Sequence, residues 1–209
     1  MKRGVYFLVL VVILVSCGQS QEEKANKLIK SELNKVLFKP ESYKPVETKV
    51  DSAFAPLDDP ALFALLKEYK KIELEMDFLH DKSKHIQRSM AIYDGPYQSA
   101  YDKVRYNDSK EEYNQILGKI SRLKEKGHDT YFEILKALDS HERFIGYLVS
   151  HNYRADNNAG NTIIGNDLFI IDPEFKEVIY QCSVADYNYH MQILKEFMDS
   201  YKEKGGMWE

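Results

Sequence analysis

The sequence contains very little cysteine. Cys17 and Cys182 are the only two in 209 residues, and Cys182 alternates with Val178, Tyr180 and Val184 along a predicted strand. Because alternate residues of a strand share one face, Cys182 is predicted to be a small side chain of the core rather than a nucleophile.

The sequence also lacks the short motifs that mark common enzyme sites. It has no Gly-x-Ser-x-Gly turn, phosphate-binding glycine loop or dinucleotide fingerprint, which serine hydrolases, nucleotide hydrolases and Rossmann enzymes require. No two histidines are three or four residues apart, the spacing that places two metal ligands on one helix face; they are His80, His85, His128, His141, His151 and His190. We therefore predict no enzyme activity, cofactor or metal site.

One loop carries oxygen-bearing side chains at a spacing that faintly matches a calcium-binding loop. Asp156, Asn158 and Asp167 occupy positions one, three and twelve, but position six is Asn161, where such loops have glycine. The same residues, with Gly160, are typical of a hairpin turn, because Asn and Gly tolerate positive φ. The turn is the favoured interpretation and calcium binding is the alternative.

Long apolar runs are absent apart from one near residue 1. Two basic residues, Lys2 and Arg3, precede an apolar stretch at residues 5–15, which is the pattern of a secretory signal. The stretch is too short for a membrane-spanning helix, which needs about twenty apolar residues. We therefore predict that residues 1–16 are a signal peptide.

The end of this stretch predicts a lipid anchor. Leu14, Val15, Ser16 and Cys17 resemble the bacterial lipobox, in which the cysteine is lipidated on sulfur and becomes the new N-terminus. An ordinary signal peptide beside an incidental cysteine is the alternative. Gly18 favours sorting to the outer membrane, where the protein would face the periplasm or the cell surface. With Cys17 lipidated, no internal disulfide is expected.

Neither sign of charge dominates the chain. It has 29 basic and 33 acidic residues and a net charge of −4, and removal of residues 1–16 takes away Lys2 and Arg3, which leaves −6. Surfaces that bind nucleic acid are normally basic. Nucleic acid is therefore not an expected partner, whereas the membrane is one through the lipid anchor.

Hydrophobic spacing predicts a single α+β domain at 27–209, preceded by a lipidated tether at 17–26. The predicted order is a helix, a strand near 46–54, a helical hairpin inserted at about 59–139, three strands within 143–184, and a last helix. We expect an antiparallel sheet of about four strands with the terminal helices on one face. The hairpin could form a second lobe.

The first helix of the hairpin shows a heptad seam. Asp59 and Pro60 are typical of a helix start, and Gly95 lies in the turn that ends the helix. The second helix is predicted to begin at a capping pattern that starts at Asp108, and to end at Gly127 before a separate short helix. The residues of the seam recur every three or four positions; they are Leu62, Leu65, Tyr69, Ile72, Met76, Leu79, Ser83, Ile86, Met90 and Tyr93.

Six polar and aromatic residues around a predicted turn form the candidate ligand site. They are Tyr147, Tyr153, Arg154, Asn157, Asn166 and Asp167. A strand hairpin could bring them together at one end of the sheet, and aromatic side chains flanked by amides suit glycan or peptide binding. Ordinary cross-strand pairing with turn chemistry is the alternative.

Two short stretches carry a resemblance to a known group of proteins. Their residues are Pro40, Glu41, Ser42 and Tyr43, and then Asn152, Tyr153, Arg154, Ala155, Gly160 and Asn161. These stretches resemble uncharacterised lipoproteins of Bacteroidota, which implies a compact α+β domain in the cell envelope and no particular activity. Asp51, Ser52 and Ala53 resemble an O-glycosylation acceptor pattern of the same phylum, which a core position of Ser52 would exclude.

These features favour a non-enzymatic lipoprotein of the cell envelope whose helical hairpin or sheet-end loops bind a protein partner. A glycan- or peptidoglycan-binding surface lipoprotein that uses Tyr153, Arg154, Asn157 and Asn166 is the alternative. An envelope hydrolase with a site assembled from scattered residues ranks last.

Overall fold

A computed structural model describes residues 19–203 of the chain. The predicted signal peptide and Cys17 lie outside these residues. The elements, in chain order, are α1 (Gln21–Val36), a 3₁₀ turn (Pro40–Ser42), β1 (Lys44–Ala55), α2 (Pro60–Tyr93), α3 (Ala100–Leu138), β2 (Arg143–Asp156), β3 (Thr162–Ile171), β4 (Val178–Ser183) and α4 (Val184–Glu203).

The four strands form one antiparallel sheet in the order β1-β2-β3-β4. β2 pairs with β3 from Tyr147 opposite Ile171 to Asp156 opposite Thr162. Each strand thus lies beside its neighbour in sequence, as short connections favour. The predicted α+β fold, with about four antiparallel strands and an inserted helical hairpin, is confirmed.

Contacts divide the chain into two compact units. Within the described residues, the first unit comprises residues 19–53 and 145–184 and is called the sheet unit. The second comprises residues 54–144 and 185–203 and is called the hairpin unit. Each unit therefore takes its residues from two separate stretches of chain.

Helix α1 covers the core of the sheet unit. Ala25, Ile29 and Leu33 recur every four residues, so they lie on one side of the helix, and all three are buried. They pack with Val149 and Phe169 of the sheet. The alternation predicted for β2 is seen from Val149 to Ala155, where fully buried residues at odd positions alternate with half-buried or exposed residues.

The heptad seam of α2 organises the hairpin unit. All ten predicted seam residues are buried or half-buried. Along the hairpin, Leu79 and Ile86 pack with Ile116 of α3. At its open end, α4 adds Ile193 and Phe197 to a larger cluster with residues of α2 and α3. Helix α4 therefore packs within the hairpin unit.

Helix α1 begins earlier than predicted. It begins at Gln21, inside the predicted tether at 17–26. The reason is a capping box: the Ser20 hydroxyl accepts from the Glu23 N–H, and the Glu23 carboxylate accepts from the Ser20 N–H, both at 3.1 Å. The chain between Cys17 and the first helix is thus only about three residues long.

Helix α3 is a single helix where two were predicted. It begins at Ala100 instead of Asp108, because Ser99 and Asp102 form a capping box before it. The helix then continues through Gly127 to Leu138. Gly127 is buried inside this helix and does not end it.

Candidate functional site

The structure places the predicted ligand residues on opposite faces of the sheet. Tyr153 lies opposite Gly165 in the sheet register and is buried, with its hydroxyl 3.2 Å from the Asp167 carboxylate. Arg154 and Asn166 are exposed and belong to the other face, because neighbouring residues of a strand point to opposite sides. Tyr153 and Asp167 contact each other on the face opposite to Arg154 and Asn166.

The other two predicted residues serve local structure. Asn157 accepts from the backbone N–H of Asn161 through its side-chain oxygen at 3.0 Å, which closes the turn between β2 and β3. Tyr147 accepts a hydrogen bond from the Gln21 side chain, and its ring stacks on Phe175. The six residues therefore form no common ligand site, which corrects the predicted grouping.

The faint calcium pattern belongs to the same turn. The Asp156 carboxylate accepts from the Thr162 hydroxyl at 2.9 Å. Gly160 has a φ of 83°, a value that residues with a side chain rarely adopt. Both features match a strand hairpin, which was the favoured interpretation of these residues.

A chain of polar side chains does converge inside the sheet unit, around His151. The Nε2 atom of His151 lies 2.7 Å from the Tyr43 hydroxyl, and its Nδ1 atom lies 2.8 Å from the Thr48 hydroxyl. Thr48 in turn donates to the side-chain oxygen of Asn26 at 2.6 Å. The residues come from α1, β1 and β2 and from the segment before β1.

The hydrogen bonds of this chain determine the tautomer of His151. The Thr48 hydroxyl has a single proton, which it donates to Asn26, so it must accept a proton from Nδ1 of His151. Nε2 is then an acceptor, and Tyr43 donates to it. All polar atoms of the neutral imidazole are satisfied, and a protonated ring would leave the Tyr43 hydroxyl without an acceptor.

Burial keeps these groups uncharged. His151 is fully buried, and burial lowers its pKa to about 4. Burial raises the pKa of Tyr43 to about 12, and burial together with the nearby Asp167 carboxylate raises that of Tyr153 to about 12. The network thus holds its protons over the physiological range, and its role is to satisfy polar groups in the core.

Two sequence-selected side chains lie outside this network. Cys182 is half-buried on the same strand face as Val178 and Tyr180, as predicted for a residue of the core face. Ser52 is exposed on β1, at the edge of the sheet, whereas the following Ala53 is buried. A core position would have excluded glycosylation of Ser52 for steric reasons. Because Ser52 is exposed, this exclusion does not apply.

The turn between α2 and α3 exposes large apolar side chains, and residues 92–104 are called the hairpin tip. Tyr97 is 96% exposed and Ile92 77%, and Tyr101 and Val104 are also exposed. The turn itself is ordered by hydrogen bonds: Gln98 donates to the Tyr93 carbonyl at 2.7 Å, beside the capping box of α3. The hydrogen-bonded turn and the ends of the two helices thus present four large side chains to solvent.

Within residues 19–203, no helix combines the length and the apolar composition needed to cross a bilayer. In the same part of the chain, no three His, Cys, Asp or Glu side chains are grouped so that they could hold a metal ion. Comparison of the chain with protein-family models, with curated protein sequences and with solved structures finds no match.

Proposed function

We propose that this protein is a lipid-anchored lipoprotein of the cell envelope that acts as a non-enzymatic interaction module and binds a protein partner through the hairpin tip. The lipobox at Leu14–Cys17 supports the anchor. The exposed side chains of the tip support the binding surface. Nucleic acid is not a partner in this proposal.

The observation that carries the proposal is the exposure of Ile92, Tyr97, Tyr101 and Val104 at one end of the hairpin. Tyrosine is enriched among the residues that dominate protein interfaces, because it combines a large apolar area with little conformational entropy. Helix α2 has 34 residues, which corresponds to about 50 Å. The tip is therefore held at the far end of a long, internally packed support.

Glycan or peptidoglycan binding at Tyr153, Arg154, Asn157 and Asn166 has less support. A glycan site needs its aromatic and amide groups on one surface. Tyr153 is buried on one face of the sheet, whereas Arg154 and Asn166 lie on the other. The protein-binding proposal is therefore preferred.

Photo-cross-linking in intact cells tests the tip. With a photo-reactive phenylalanine analogue in place of Tyr97, we expect a discrete protein adduct. Combining it with Ile92→Ser and Tyr101→Ser should lower the yield of that adduct about tenfold or more, because truncating a side chain that dominates an interface costs about 2 kcal/mol.

Ile164 provides the matched control for this experiment, since it is 76% exposed but lies on β3. The same analogue at position 164 should give no such adduct, and Ile164→Ser should leave the Tyr97 adduct unchanged. An adduct of equal yield with and without the tip substitutions would contradict the proposal.

Metabolic labelling with an alkyne fatty acid tests the lipid anchor. We expect the full chain to become labelled and Cys17→Ser to lose the label completely, because the lipobox cysteine carries the acyl chains. Cys182→Ser is the control and should keep the full label. Label that persists in Cys17→Ser, or disappears in Cys182→Ser, would remove the lipoprotein assignment.

A further inference from the structure

A groove of about 560 Å³ runs along α2 in the hairpin unit. Four α2 residues, Ala64, Lys67, Lys71 and Leu74, line it together with Glu68 and Lys70 of the same helix and with Tyr189 of α4. The four α2 residues follow one another at spacings of three and four, so they lie on one side of the helix. None of them belongs to the seam that faces α3.

The floor of the groove is apolar and open to solvent. Leu74 and Tyr189 are both exposed, and Phe78, one turn after Leu74, is exposed as well. Leu74 and Tyr189 line the same groove, and Phe78 extends the apolar surface along α2 because it lies four residues after Leu74. Contiguous exposed apolar surface is a common feature of binding sites.

The rim of the groove carries more positive than negative charge, because Lys67, Lys70 and Lys71 line it with one carboxylate, Glu68. The hydrogen bond from Lys126 and also the charge of Lys71 lower the pKa of Glu68. Lys70 is paired with Glu73 at 2.7 Å and with Glu196 at 3.1 Å, and Glu68 is paired with Lys126. Lys67 and Lys71, by contrast, have no carboxylate within 4.0 Å among residues 19–203. They project one helical turn apart beside the apolar floor.

We propose that this groove binds an acidic amphipathic helix of a protein partner. Ala64 to Leu74 spans about 15 Å of α2, which matches three turns of a helix laid along it. Apolar residues of that helix at every third or fourth position contact Leu74 and Tyr189, and its carboxylates pair with Lys67 and Lys71. This surface is separate from the hairpin tip, so it does not depend on the function proposed above.

The overall charge of the protein makes the proposal testable with a simple probe. The chain has a net charge of −4, so it repels an acidic peptide in general, and attraction has to come from a local site. The probe is a fluorescein-labelled peptide of roughly 18 residues, or five turns, with leucine at every third or fourth position and glutamate and alanine elsewhere. Its binding to the full chain is measured by fluorescence anisotropy.

We expect saturable binding that Lys67→Glu combined with Lys71→Glu weakens about tenfold or more, and that Leu74→Ser combined with Tyr189→Ser weakens similarly. Lys30→Glu combined with Lys44→Glu makes the same change in net charge outside the groove and should leave the affinity unchanged. Tyr97→Ser at the hairpin tip should also leave it unchanged, which separates this site from the tip.

Three results would overturn the inference. The first is equal binding of a peptide in which lysine replaces glutamate. The second is binding that the groove substitutions do not weaken. The third is lysine-dependent binding to vesicles that contain phosphatidylglycerol without any binding to the peptide, which would make the groove a lipid contact instead.

Discussion

Acidification from pH 7.5 to pH 5 should lower the unfolding free energy by about 2 kcal/mol more in the wild-type chain than in His151→Asn. The pKa of His151 falls to about 4 in the folded protein because the ring is buried, whereas an unfolded histidine titrates near 6.5. Between pH 6.5 and pH 4, His151 is therefore protonated in the unfolded state but neutral in the folded state. The contribution of the neutral His151 to the free energy of unfolding is complete above pH 6.5 and is lost as the pH falls towards 4.

Urea unfolding followed by circular dichroism at a series of pH values measures this effect. His151→Asn lowers the stability at neutral pH, because Tyr43 and Thr48 lose a partner, but it should flatten the dependence on pH. Tyr43 and Thr48, which form hydrogen bonds with the His151 ring, carry no charge. Asp167 lies opposite His151 on the neighbouring strand, and its carboxylate accepts hydrogen bonds from Tyr153 and Gln181. Equal slopes in both proteins between pH 7 and 5 would show that His151 titrates normally.

Gly165→Ala should destabilise the protein by about 2–3 kcal/mol, the cost of forcing extra volume into a packed core. A Cβ atom at this position would lie 2.1 Å from the Cζ atom of Tyr153. The Tyr153 ring covers the glycine across the strand pair, and it is held by contacts with Tyr43 and His151 and by a hydrogen bond to Asp167. It can move aside only by giving up these contacts.

A double-mutant cycle checks that cause. Tyr153→Ala alone should cost about 3 kcal/mol through the cavity that it leaves. With the ring gone, the added methyl group of Gly165→Ala meets no obstacle, so the double variant should be no less stable than Tyr153→Ala. If the losses in unfolding free energy of the two single variants add up in the double variant, the effect of Gly165→Ala comes from the backbone at Gly165 and not from a clash with the Tyr153 ring.

Local patterns in the sequence predicted the elements and their inward faces. The seam from Leu62 to Tyr93 and the alternation in β2 depend only on residues three, four or two positions apart, so they are visible without the fold. The start of α3 was misplaced because it was predicted at the capping pattern of Asp108, whereas the capping pattern that forms is the one at Ser99. The local sequence does not say which one has the better geometry.

The polar network could not be predicted in the same way. Thr48 and Tyr43 lie 103 and 108 residues before His151 in the chain, and only the pairing of strands brings them together. The grouping of Tyr153 with Arg154 in one ligand site could have been rejected from the sequence. The two residues are neighbours on a predicted strand, so their side chains point to opposite faces of the sheet. The hairpin tip and the groove are defined by side chains that remain exposed after the helices pack. The sequence alone does not show which side chains these are.

The discontinuous make-up of the hairpin unit has a consequence for synthesis. Ile193 and Phe197 complete the cluster that contains Leu62 and Leu66, and the ribosome makes them only after all three later strands. Until then, the apolar end of the helical hairpin has no cover from α4. During synthesis, all residues of the sheet unit are therefore made before α4, which the hairpin unit needs to complete its hydrophobic core.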